Sequence, residues 1–132
     1  MKNMFLETPS PMDYPTTLSK TQQVIETAGW KVLATHNLQQ SLKNKGYDVL
    51  PVSVIELCNP SHSVRLLEKS DERIYSSLMP CRISVYEKED GKTYVSRLDS
   101  GNMAAMIGGL VEEVMKDATR EMEVMIASAL QE

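Results

Sequence analysis

Hydrophobic positions along this 132-residue chain change their period several times, and each change marks an element. "MFLET" (4–8) predicts a short first strand, and "PSPMDYP" after it reads as a connection. Leu18, Val24, Ile25 and Ala28 then share the inward side of a helix expected over Thr16–Ala28, with Gly29 placed for a left-handed C-terminal cap. "WKVLATH" (30–36) predicts a second strand. Asn37 with Gln40 three residues on has the spacing of a capping box, opening a short helix to Lys45 that Gly46 ends. "LPVSVIELC" (50–58) is dense in β-branched residues and predicts a third strand. Asn59-Pro60 joins a preferred N-cap to a residue favoured at the first helical position, because its missing N–H costs nothing there. A helix is therefore expected over about 60–69, burying Val64 and Leu67. A further helical turn in "DERIYSSL" pairs Ile74 with Leu78.

"CRISVYEKEDGKTYVSRL" (81–98) has the pattern of a β-hairpin, with Pro80 suited to the start of its first strand. Taking Asp90-Gly91 as a two-residue turn sets Glu89 opposite Lys92, Glu87 opposite Tyr94, Val85 opposite Ser96 and Ile83 opposite Leu98. In that register Cys81, Ile83, Val85, Ser96 and Leu98 face the core. Arg82, Ser84, Tyr86, Val95 and Arg97 occupy the other side. The remainder is helical over about 103–130, with Gly108-Gly109 breaking or bending it. Val111, Met115, Ala118, Met122, Met125 and Ala129 form a seam of under three heptads. The order β-α-β, short helix, β, α, β-β, α predicts an α+β two-layer sandwich: a mixed, mainly antiparallel sheet with helices packed mainly on one side, in a single domain over residues 1–132.

Composition narrows the function classes. An apolar fraction of 42% and a charged fraction of 24% suit a soluble globular domain. A net charge of −4 and a pI near 5.2 argue against a nucleic-acid partner. No apolar run approaches the ~18 residues of a membrane span, and "MFL" is followed at once by Glu7, unlike a secretory signal. A cytoplasmic location is expected, where the two cysteines would be reduced thiols.

The stretches "GWKVLATHNLQQSLKNKGYDV", "VIELCNPSHSVRLLE" and "LMPCRISVYEKEDGKTYVS" resemble the domain of unknown function 302 family over nearly the whole chain. The paired motifs that carry the likeness are Cys58-Asn59-Pro60 and Pro80-Cys81-Arg82. The resemblance implies a small α+β fold of TATA-binding-protein-like topology, often a dimer. It brings no reaction and no catalytic residues.

Cys58 and Cys81 are the candidate thiols. In an antiparallel meander they lie at the same end of the sheet, and His62 stands four residues after Cys58, in the first turn of a helix. A helix dipole favours a thiolate there, so a reactive thiol, or a weak metal site of Cys58, His62 and Cys81, competes with simple packing of two buried cysteines. The absence of a CxxC motif and of a fourth ligand favours packing. Strand parity puts Glu56 with Val52, Val54 and Cys58, so a core-facing Cys58 tends to bury a carboxylate. His36 falls at the opposite end from the cysteines, as a strand-end residue. Arg82, Tyr86, Arg97 and Glu56 are candidate ligand-binding residues, because arginine forks match carboxylate and phosphate. The methionine stripe of Met103, Met106, Met115, Met122 and Met125 reads as core or interface rather than a soft-metal site. The leading expectation is a homodimeric cytoplasmic binding or accessory domain without catalysis of its own, taking a small-molecule or anionic ligand and no cofactor. The alternative is a thiol-dependent protein handling redox equivalents, sulfur or a metal through Cys58 and Cys81.

Overall fold

The computed structural model describes residues 4–132. Five strands form one sheet in the order β1-β5-β4-β3-β2, antiparallel at every pairing. They are β1 (Phe5–Ser10), β2 (Lys31–Asn37), β3 (Val52–Cys58), β4 (Cys81–Glu87) and β5 (Thr93–Leu98). Helices α1 (Tyr14–Thr27), α2 (Leu38–Lys43), α3 (Pro60–Leu67), α4 (Ser100–Ala105) and α5 (Gly109–Ala129) connect or follow them. α1 and α5 cover one side of the sheet, giving the α+β layered architecture expected.

Local chemistry explains most boundaries. α1 starts two residues earlier than expected because Asp13 caps it, accepting from Thr16 N at 2.9 Å. Gly29, at φ 86°, ends it in the left-handed conformation that only glycine adopts freely. Asn37 caps α2 through Gln40 N at 2.9 Å, but the Gln40 amide turns to Asn44 instead of closing the box. Asn59 caps α3, accepting from Ser61 N at 3.1 Å, with Pro60 at its first position. β1 runs on through Pro9, which a strand at the sheet edge tolerates.

Two helical expectations change. In α3 the inward residue is Leu66, fully buried, while Val64 is 51% exposed. The "DERIYSSL" segment is a 3-10 helix over Asp71–Leu78, and Ile74 points to solvent; Tyr75 and Leu78 pack instead against Leu66, Ala104 and Val111. The C-terminal helical region is two helices, since Gly108 and Gly109 take positive φ between α4 and α5. All six seam residues of α5 are buried, joined by Val114 and Ile126.

The largest correction is the hairpin register. Glu87 pairs with Thr93, Val85 with Val95 and Ile83 with Arg97, one residue away from the two-residue-turn alignment. Gly91 N donates to Lys88 O and Lys88 N to Lys92 O, closing a three-residue loop of Glu89, Asp90 and Gly91. A two-residue turn of the primed type needs positive φ at Asp90 as well as at Gly91. Here Gly91 alone has it, at φ 78°. A one-residue slip turns every side chain of the strand over. Val95 and Arg97 therefore face the helices, and Ser96 and Leu98 face away from them.

The main core lies between the sheet and α1/α5, with Ile25, Ile55, Leu57, Ile83, Val85, Val95 and Met122 at its centre. Arg97 sits in this layer with its side chain only 8% exposed. Its guanidinium donates to both carboxylate oxygens of Glu123 on α5, at 2.8 and 2.5 Å, and to Thr8 Oγ1 at 2.8 Å.

Candidate functional site

The sheet face away from α1 and α5 collects the polar residues that the corrected register assigns to it. Glu56 lies opposite Arg82 across β3 and β4, and opposite Ala34 across β2 and β3. Its carboxylate takes His36 Nε2 at 2.8 Å and Arg82 at 3.2 Å. The His36 hydrogen bond, with the charges of His36 and Arg82, holds Glu56 below the usual carboxylate range despite partial burial. Toward the other edge, Glu7 accepts from Tyr86 and, at 2.8 Å, from Lys88. Tyr86 stacks on Tyr94 with ring centroids 6.3 Å apart, and Lys88 sits 4.2 Å above the Tyr94 ring. Charges on this face are thus matched within it.

At one end of the same face is a groove of about 290 Å³, whose lining includes Phe5, Val54, Arg82, Ser84, Ser96 and Leu98. Its apolar floor comes from β1, β3 and β5; Arg82, 56% exposed, is the cation at its mouth. Cys81 and Arg97 border it from the core side. Arg82 and Tyr86 therefore share the open face, joined there by Glu56, whereas Arg97 belongs to the other layer and is already neutralised by Glu123.

A second cluster forms where β2, β3, α3 and α5 converge. Glu121 on α5 accepts from Trp30 Nε1 at 3.0 Å, Asn59 Nδ2 at 3.3 Å and His62 Nε2 at 2.5 Å. Burial tends to raise its pKa, but the Trp30 and His62 hydrogen bonds and the His62 charge outweigh that and hold it below the ordinary 4.5. Asn59 thus has two tasks, since its Oδ1 caps α3 while its Nδ2 ties the cap to α5. The Trp30 and His62 rings lie 5.9 Å apart. Cys58 Sγ lies 3.3 Å from Ser63 Oγ. Cys81 packs on the main core, opposite Leu57, so Glu56 avoids the core while Cys81 does not. Burial, with Cys58 nearby, pushes the Cys81 thiol up to about 11. Among the described residues, no three His, Cys, Asp or Glu side chains gather as a metal-binding group. Of the methionine stripe, Met115, Met122 and Met125 are buried and Met106 is exposed.

Carboxyls held low in the folded state make stability depend on acid. Glu56 and Glu121 titrate lower folded than unfolded, so their contribution is present above 4.5 and is lost as pH falls from there through the folded values. Denaturant unfolding between about pH 6 and pH 3 should show that decline, and Glu121→Gln should flatten part of it. An unchanged slope in the variant would contradict the cluster's role.

Sequence reading took His36 only as a strand-end residue and gave Glu121 no role. The partnership of His36 with Glu56 could have been found from strand register, since His36 lies opposite Val54, two pairs along from Glu56 and on the same face. Glu121 gave no signal, being 91 residues from Trp30 and 59 from His62.

A family model described as "Domain of unknown function DUF302" matches residues 6–132. The crystal structure of an uncharacterized conserved DUF302 protein from Bacillus stearothermophilus is similar in fold, with a TM-score of 0.84 over 97% of this chain and 98% of that one, at 18% identity. No curated protein matches the chain. No helix among the described residues is long and apolar enough to cross a membrane.

Proposed function

This chain belongs to the DUF302 family, and we propose that it is a binding domain without catalysis of its own, taking a small anionic molecule with an apolar body into the open-face groove. The observation that carries this reading is the pairing, in one groove, of an exposed guanidinium with two hydroxyls and an apolar floor: Arg82, Ser84 and Ser96 beside Phe5, Val54 and Leu98. Such a mixture of apolar wall and a few convergent polar groups suits a small ligand. Arg82 is held by a single 3.2 Å contact to Glu56, so its remaining donors are available to a carboxylate or phosphate. The proposal places the domain in the cytoplasm and pairs it with a second copy. Exposed Leu38, Leu42, Tyr47, Val49 and Leu50, on α2 and the segment after it, support that pairing as apolar surface in need of cover.

Octanoate is a suitable first probe, followed by backbone amide shifts in NMR. Shifts should centre on β4 and β5 around residues 82–84 and 96–98, and Arg82→Ala should weaken binding about tenfold or more. Shifts elsewhere, or an unchanged affinity in the variant, would remove the reading. Sedimentation across a concentration series tests the pairing, with a monomer at all concentrations as the opposing result.

The thiol alternative has one observation against its nucleophilic form. A reactive cysteine needs a depressed pKa, and the Cys81 thiol is raised. A metal can still displace the proton of a raised thiol, at a cost in affinity at neutral pH.

A further inference from the structure

Beneath the groove lies a separate cavity of about 20 Å³, room for one water-sized atom. Four of its lining residues carry sulfur: Cys58, Cys81, Met79 and Met115. A water needs two to four polar partners, and this lining offers few. His62 borders it, but its Nε2 is held by Glu121, and Trp30 Nε1 donates to the same carboxylate. Cys58 Sγ meets Ser63 Oγ, and Cys81 makes no side-chain hydrogen bond among the described residues. Pro80 and Cys81 line both the cavity and the open groove, so the two spaces are neighbours.

We propose that this cavity binds one soft monovalent metal cation of the Cu(I) class, held by the thiolates of Cys58 and Cys81 with thioether support from Met79 or Met115. Thiolate and thioether donors select such an ion, and two thiolates suffice for low coordination. Zinc prefers four nitrogen, sulfur or oxygen ligands, which the cavity does not assemble. Binding replaces the proton on each thiol by the metal and releases both protons to solvent, with no change of oxidation state. The site shares Pro80 and Cys81 with the groove lining but binds through sulfur rather than through Arg82, so either reading can fail alone.

The test uses the full chain, reduced and kept free of oxygen, titrated with Cu(I) against the chromophoric chelator bicinchoninate. One Cu(I) per chain should be retained. Cys58→Ser and Cys81→Ser should each weaken it more than about 100-fold, and Arg82→Ala should leave it unchanged. X-ray absorption of the wild-type complex should show a sulfur-only first shell, a readout that stands even if a serine variant does not fold. Loss of all copper to the chelator, a nitrogen or oxygen first shell, or equally tight binding of Zn(II) would overturn the proposal.

Discussion

Val95→Asp is expected to abolish folding, while Ser96→Asn should change stability by less than about 1 kcal/mol. Val95 is fully buried in the main core, opposite Val85, so an aspartate there would place an unpaired carboxylate in an apolar layer. Desolvating that charge, or neutralising it by taking up a proton, costs several kcal/mol, comparable with the whole stability of a small domain. Ser96 lies on the open face between Ser84 and Glu7, where an amide stays in water. The two-residue-turn register predicts the reverse, with position 96 buried and position 95 exposed. Circular dichroism and urea unfolding of the two variants therefore decide between the registers. A folded Val95→Asp beside an unfolded Ser96→Asn would refute the three-residue loop.

Glu123→Ala is the second large effect, expected to cost about 3 kcal/mol. It removes both charge-assisted acceptors from Arg97, leaving a nearly buried guanidinium with Thr8 Oγ1 and the long contact to Val95 O. The cost falls short of the full buried-pair penalty because Glu123 itself is 35% exposed, so water can enter when it is truncated. In a double-mutant cycle, Arg97→Met with Glu123→Leu should recover much of the loss, since an apolar pair leaves no orphaned charge. Additive losses in the double variant would show that the pair does not act as a unit.

These two predictions rest on the part of the fold that sequence left ambiguous. Asp90-Gly91 is compatible with a two-residue turn and with a three-residue loop ending in a left-handed glycine, and the two differ by one residue of register. That single residue decided whether Arg97 was a surface ligand group or the buried partner of Glu123. Elements defined by their own composition were legible: the strands, the Asn59-Pro60 helix start, the Gly29 stop and the buried stripe of α5. So was the likeness of the chain to its family. The phase of α3 was not, because a helix of eight residues offers two inward faces and packing against α5 selects Leu66. Cross-chain convergence was beyond reach too. Glu121 meets Trp30, Asn59 and His62 only after the helices have docked, and Glu56 meets His36 only once β2 and β3 are aligned.

The outer strands also bear on how copies of this chain meet. β1 carries Pro9, which has no N–H to offer, and β2 is irregular between Val32 and Ala34. A proline on one rim and a bulge on the other are the devices that keep neighbouring sheets from zipping together along their edges. Strand-by-strand polymerisation is thereby discouraged at each side. Concentrated protein should accordingly resist seeding into fibres.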